Sequence, residues 1–252
     1  MKIKASDWYK NIWTLDMKKQ SWVEDTKNQV DFIINTLGLT GRERILDLAC
    51  GYGRHSLEFA RKGYSVVGVD ITKELIEDAR MTAEKEALTP EFIHSDIRSI
   101  DFINEFDVVV NLADGAIGYL ENEEENLKIF DVISKALKPL GKHFMDICNA
   151  EHAELYFPKQ GWEVGDKALA LSVFDWDAKN RRMLYGDFNI PYGFPAQKPE
   201  ISPADPTRLY SIDELKEIFR KRDMEIIASF SNYYGKAATY KELQLMVYSM
   251  KR

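Results

Sequence analysis

The stretch Ile45-Leu46-Asp47-Leu48-Ala49-Cys50-Gly51-Tyr52-Gly53-Arg54-His55 decides the fold of this chain. An apolar strand runs into an acidic residue, then a glycine turn, then a helix. Downstream, Val66-Val67-Gly68-Val69-Asp70 reads as a second apolar strand that also ends in an acid. A nucleoside-containing ligand needs this arrangement. Glycines let backbone come close to it, and the distal carboxylate can accept hydrogen bonds from both ribose hydroxyls.

Strand and helix patterns alternate outward from this unit. Trp22 to Leu37 has near-helical apolar spacing and stops at Gly38. Arg54 to Arg61 is the helix after the turn, and Thr72 is placed to cap another over Lys73 to Glu86. Glu91 to His94, Phe106 to Leu112 and His143 to Ile147 read as strands, with a helix over Glu123 to Leu137 stopped by Pro139 and Gly141. Such alternation implies parallel strands joined by right-handed crossovers, an α/β class with a doubly wound, mostly parallel sheet.

The pattern changes after residue 150. Leu169 to Asp177 and Met183 to Ile190 alternate apolar and polar residues, as a β-hairpin does. A proline-punctuated loop follows, then a capping box at Ser211-Ile212-Asp213-Glu214 and two strands, Glu225 to Phe230 and Leu243 to Met250. The chain reads as one domain over 1–252, with an N-terminal helical cap (1–40) and an antiparallel hairpin insertion (151–207) near the mouth of the site.

Apolar residues make up 45% and charged residues 30% of 252, the balance of an ordinary globular protein. The net charge is -7 and no basic run is interleaved with aromatics, which disfavours nucleic acid held by counterion release. No secretory h-region and no run of roughly 18 apolar residues is present, so a cytoplasmic location away from membranes is expected. Cys50 and Cys148 each close a buried strand and read as small apolar filler. Zinc spacing is absent, and no metal site is expected.

The glycine turn narrows the ligand. A dinucleotide fingerprint wants a third glycine where His55, Ser56 and Leu57 stand. Asp47 would also repel a pyrophosphate and suits a positive group such as an amino-acid ammonium. Asp47 through Gly53 resembles motif I of the class I S-adenosylmethionine-dependent methyltransferases. Gly68-Val69-Asp70 resembles their ribose-binding motif, His94-Ser95-Asp96-Ile97 their adenine-binding motif, and Phe106 to Leu112 the strand that opens the transfer site. Leu137-Lys138-Pro139-Leu140-Gly141 matches the turn before the fifth strand. Arg208-Leu209-Tyr210-Ser211 with Glu214-Leu215 is similar to a late helix opening in a mostly small-molecule branch, type 11/25-like.

The resemblance implies seven strands, the last antiparallel, and S-adenosylmethionine as cofactor, leaving as S-adenosylhomocysteine. It implies roles as well. Backbone at Ala49, Gly51 and Gly53 would meet the methionine part, and Asp47 would order the turn. Asp70 would take the ribose hydroxyls. Ile71 would pack on adenine, the Asp96 side chain and the Ile97 amide would face its polar edge, and Leu112 would lie near the reactive end. Asp96 has a plainer reading as a turn cap before Arg98, and Ile71 and Leu112 as core. Arg54 either pairs with the cofactor carboxylate or is a solvated first-turn residue. Tyr9 or Trp13 closes the site, or the aromatic segment from Trp8 to Trp13 simply staples the N-terminus to the domain.

Acceptor contacts are sought in the loop Ala113-Asp114-Gly115-Ala116-Ile117-Gly118-Tyr119, where open parallel sheets hold ligands. Asp114 and Tyr119 are the candidates, Asp114 to orient or deprotonate an amine or hydroxyl. The prolines typical of base-amine methyltransferases are missing after Asn111. Hairpin aromatics Phe174, Trp176, Tyr185 and Phe188 would roof a pocket, form a dimer contact or pack on the sheet. His55, His94 and His143 read as packing or turn residues, and His152 stands nearer the expected mouth. The expected function is methyl transfer to nitrogen or oxygen of a small molecule, in a monomer or homodimer. A protein or RNA acceptor, a non-catalytic binding protein and a nicotinamide-dependent oxidoreductase are the alternatives.

Overall fold

The structure is a computed structural model that describes residues 2–20, 23–195 and 197–252. Seven strands form the main sheet, in the order β10-β11-β5-β4-β1-β2-β3. These are β1 (Arg44–Leu48), β2 (Ser65–Asp70), β3 (Glu91–His94), β4 (Phe106–Asn111), β5 (Leu137–Cys148), β10 (Met224–Phe230) and β11 (Gln244–Lys251). β11 runs antiparallel to both its neighbours, and the strands from β5 to β3 are parallel. The direction in which successive strands are added across the sheet reverses between β1 and β4, because β2 lies to one side of β1 and β4 to the other. A crevice opens at such a switch point beyond the strand ends, where ligands sit.

Apolar side chains alternate across each strand and bury both faces. Ile45, Val108, Val110 and Phe144 meet α1 (Thr26–Leu37) and α2 (Arg54–Arg61) on one side. Leu46, Leu48, Val109 and Met145 meet α4 (Glu123–Ala136) and α6 (Ile212–Arg220) on the other. α3 (Lys73–Lys85) packs with α2 over Phe92 and Cys50. Gly38 caps α1 in the left-handed conformation, and the Ser211/Glu214 capping box is formed. Thr72 occupies the N-cap of α3, but its hydroxyl makes no cap bond. The start of the helix expected from Trp22 lies outside the described residues; the helix itself begins at Thr26.

Three elements depart from expectation. β5 begins at Leu137 rather than His143, because Leu137 already pairs with Phe106. Leu140, at φ 63, lies in the irregular stretch before regular pairing resumes at Lys142. α5 (Ala150–Tyr156) is a short helix that the sequence reading did not separate. The hairpin of β7 (Ala168–Asp177) and β8 (Arg182–Pro191) is present, but it sits inside a four-stranded antiparallel sheet, β6-β7-β8-β9. Its outer strands are β6 (Lys159–Val164) and β9 (Asp205–Arg208). β6 is mostly exposed and β9 carries Pro206, which is tolerated at a sheet edge.

The N-terminal strap consists of two short 3-10 turns, Trp8–Lys10 and Leu15–Lys19. Main-chain bonds between Lys2, Lys4 and Ala204 tie its start to the insertion. Among the described residues no helix is long and apolar enough to cross a membrane.

Candidate functional site

A cavity of about 830 Å³ opens at the carboxyl ends of β1, β2, β4 and β5. The strap covers it with Trp8, Tyr9, Ile12, Trp13 and Met17, and the second sheet contributes Met183, Tyr185, Asp205 and Thr207. Every residue expected to contact cofactor or acceptor lines it except Gly53; of the hairpin aromatics only Tyr185 does, while Phe174 and Trp176 pack beside Ala150, Ala153 and Leu209.

The glycine turn is built around backbone in the left-handed region. Ala49 has φ 58, Gly51 φ 57 and Gly53 φ 73. A non-glycine residue in that region costs of order 1–3 kcal/mol and persists only where its surroundings impose it. Asp70 helps to impose this shape. Its Oδ2 accepts the Gly51 N–H at 2.9 Å and its Oδ1 accepts the Thr72 N–H at 2.7 Å. A carboxylate has about four acceptor sites, so capacity remains toward the cavity. Gly53 serves packing. A Cβ there would stand 2.7 Å from the Phe92 ring and 3.1 Å from Ala79, so packing of α3 and β3 by itself requires a glycine.

Asp47 is buried and accepts the Ser56 hydroxyl at 2.6 Å. Burial pushes its carboxyl up to about 7, against the pull of Ser56 and Arg54. Arg54 donates to Thr26 Oγ1 at 2.8 Å and Gln29 Oε1 at 2.7 Å, so it is joined to α1 rather than left in solvent. Asp96 makes the cap bond to Arg98 N at 2.9 Å and an ion pair with the Arg98 guanidinium at 2.5 Å, while still lining the cavity. Despite partial burial, Arg98 holds that carboxyl below its ordinary range. Ile71, Ile97 and Leu112 supply apolar wall beside it.

The opposite end is formed by the loop after β4. Ala113, Asp114, Gly115 and Ala116 all have positive φ. The Asn111 side chain holds this coil by donating to Gly115 O at 3.0 Å, and the Asp114 N–H bonds the Asp146 carbonyl at 2.7 Å. Asp114 accepts the Tyr119 hydroxyl at 2.9 Å, and burial raises its pKa. The Tyr119 ring lies 6.0 Å from Trp13 in a stacked pose and 5.0 Å from Trp8.

The sequence reading missed several lining residues, among them Asp25, Asp205, Asp146 and Tyr233. Asp146, in β5, lines the cavity and accepts the Tyr233 hydroxyl at 2.7 Å. Burial, with some help from Asp114, raises it to about 7. The signal was an acid inside the apolar run His143 to Ile147, the same signal that marks Asp47. Tyr233 had no comparable mark. His143 is packed against Ser249 and pushed by burial to about 3. His55 bonds Gln29 at the cavity wall, whereas His94 and His152 bond main-chain carbonyls outside it.

Charge sets the chemistry. Asp25, Asp47, Asp70, Asp96, Asp114, Asp146 and Asp205 line the cavity, and Arg54 is the one lysine or arginine among the described lining residues. Such a wall repels phosphates and favours cations. Among the described residues no group of His, Cys, Asp or Glu could hold a metal ion.

Residues 45–141 match a family model described as a methyltransferase domain. A putative methyltransferase, YqeM, of Bacillus subtilis strain 168 is 32% identical over 135 residues, 52% of this chain and 53% of that protein. A glycine/sarcosine N-methyltransferase of Aphanothece halophytica is 28% identical over 153 residues, 58% and 57% of the two chains. The matches thus span about half the length of these curated relatives. The crystal structure of an S-adenosylmethionine-dependent methyltransferase from Clostridium acetobutylicum ATCC 824 superposes with a TM-score of 0.72 at 19% identity, over 90% of this chain and 92% of that one. At that identity the likeness is one of fold.

Proposed function

We propose that this chain belongs to the class I S-adenosylmethionine-dependent methyltransferase family and transfers a methyl group from that cofactor to nitrogen or oxygen of a small molecule. One observation carries the reading. A single acidic, aromatic-covered cavity joins the Asp70–Asp96 end to the Asp114–Tyr119 end. The residues present fit the cofactor. The left-handed turn from Ala49 to Gly51 leaves its backbone facing the cavity, Asp70 has acceptor sites left for ribose, and the acidic wall suits a sulfonium.

When bound, S-adenosylmethionine supplies an electrophilic methyl carbon; the rest is the work of this chain. Asp70 and Asp96 orient the nucleoside end. Trp8, Trp13 and Tyr119 exclude water and offer aromatic faces to positive charge. The loop after β4, pinned by Asn111 and the Asp146 carbonyl, holds the acceptor toward the reactive end. Orientation of this kind can lower a barrier by up to about 7–11 kcal/mol, so no dedicated base is required for an acceptor that arrives neutral. The second sheet supplies the acceptor wall within one working domain. A small acceptor agrees with the relative named for glycine and sarcosine, and the acidic lining disfavours RNA. Calorimetric titration with S-adenosylmethionine, S-adenosylhomocysteine and NAD tests the proposal. Micromolar binding of the first two without NAD is expected; NAD binding, or silence from all three, rejects it.

A further inference from the structure

One side-chain oxygen of Asp146 has no hydrogen bond of good geometry, although the Ala113 backbone N–H also acts on this carboxylate. Its Oδ2 takes the Tyr233 hydroxyl, while Oδ1 is buried with no hydrogen-bond partner. The residue is 6% exposed and lines the cavity. A buried carboxylate oxygen left unmet is unfavourable and calls for a partner, which water, an ion or a ligand can supply.

Its position puts it on the acceptor side. β5 lies two strands from β1, about 10 Å across the sheet from the strand that carries the glycine turn. Asp114, joined to the Asp146 carbonyl through its own amide, stands on the adjacent loop. Each carboxylate is fixed from one side by a tyrosine hydroxyl, Tyr233 for Asp146 and Tyr119 for Asp114. Tyr233, Asp114 and Arg54 are the titratable and charged groups that act on Asp146. Arg54 is engaged with Thr26 and Gln29 on α1. The two carboxylates repel one another, and a cation placed against Oδ1 would relieve that repulsion. A phenolate or carboxylate there would add a further negative charge.

We propose that the methyl acceptor is an amine and that Asp146 is its binding residue, with the unpartnered Oδ1 accepting an N–H of the substrate. This narrows the methyl-transfer reading and rests on it. An ammonium, a neutral amine or a hydroxyl can donate to Oδ1, whereas an ether or carboxylate cannot, and of these donors only the ammonium also offsets the negative charge of the two carboxylates. Its nitrogen must give up the extra proton before it can accept a methyl group. Asp114 then sets the second side of the same subsite.

The test is calorimetry of the full chain with S-adenosylhomocysteine at saturation. Benzylamine, tyramine and putrescine are compared with benzyl alcohol and benzoate, on wild type and on Asp146→Asn. At least one amine is expected to bind, with benzyl alcohol and benzoate tenfold or more weaker. Asp146→Asn should lose tenfold or more in amine affinity and keep its affinity for S-adenosylhomocysteine within about twofold. Failure of every amine to bind wild type, or tighter binding of benzyl alcohol or benzoate, overturns the proposal. So does unchanged amine affinity in the variant. A parallel loss of S-adenosylhomocysteine affinity would assign Asp146 to the cofactor instead and also overturns it. The wild-type ranking decides even where circular dichroism shows that the variant has not folded. If amines bind but S-adenosylhomocysteine does not, the amine subsite stands and the methyl-transfer reading fails.

Discussion

At the scale of single residues, aspartates divide the work of this site, and each is testable. Asp70 braces the glycine turn with one face of its carboxylate and presents the rest to the cavity. Asp70→Ala should weaken S-adenosylmethionine binding by tenfold or more, since hydrogen bonds to a charged group are worth about 1.5–3 kcal/mol. Equal affinity in calorimetry would remove its ribose role. Asp146 makes a prediction about pH. Its folded pKa is about 7 against an ordinary 3.8. Below pH 4 it is neutral in folded and unfolded chains alike. Between about 4 and 7 the unfolded chain loses its proton first, so the folded state loses relative stability as pH rises, and the loss saturates above 7. Thermal denaturation without ligand should therefore show Asp146→Asn gaining on wild type from pH 5 to pH 8. A difference independent of pH would mean that the carboxylate is not buried as described. Much of this site was legible in the sequence because an acid inside or just after an apolar run is a strong mark. Asp47 and Asp70 were found that way. Asp146 carries the same mark and was passed over because its strand lies far from the glycine turn in sequence. Gly53 carries a packing requirement that its sequence does not show. A glycine needed for ligand approach and one needed for a phenylalanine ring look alike until Phe92 is seen against it.

At the scale of elements, the joint between the loop after β4 and strand β9 is the tightest approach at any glycine among the described residues. Gly118 has φ +87, and a Cβ there would lie 1.9 Å from the Arg208 carbonyl oxygen. Main-chain bonding between the same two residues fixes the second sheet against the acceptor loop. Gly118→Ala must push backbone from backbone, at a cost of about 2 kcal/mol or more. The melting temperature should fall by roughly 4–8 °C for a chain of this size. An unchanged value would show that this joint can open freely. The parallel core was legible because β-branched runs alternating with helical periods admit few other arrangements. The four-stranded second sheet was only half legible. β7 and β8 alternate cleanly, but β6 is mostly exposed and β9 is four residues long with a proline, so neither carries a burial pattern. Their pairing is set by neighbours, not by their own sequence.

At the scale of the whole molecule, the cavity is closed from three directions. The main sheet forms its floor, the second sheet one wall and the strap its cover. A ligand enclosed this way stabilises the folded state by mass action, about 2.7 kcal/mol at a hundred times its Kd. S-adenosylhomocysteine at that ratio should raise the melting temperature by roughly 5–10 °C, and NAD should leave it unchanged. The strap has one more consequence. Trp8 and Trp13 press on the ring of Tyr119, and the hydroxyl of the same tyrosine holds Asp114. On the proposed reading, the cover of the cofactor half and the wall of the acceptor half therefore share one side chain, Tyr119. Lifting the strap to exchange the nucleoside removes the packing behind the acceptor subsite, so the two ligands cannot come and go independently. Turnover should follow a compulsory order, nucleoside first in and last out. In steady-state kinetics S-adenosylhomocysteine should then compete with S-adenosylmethionine but inhibit noncompetitively against the acceptor, and a random-order pattern would show that the strap opens without disturbing Tyr119.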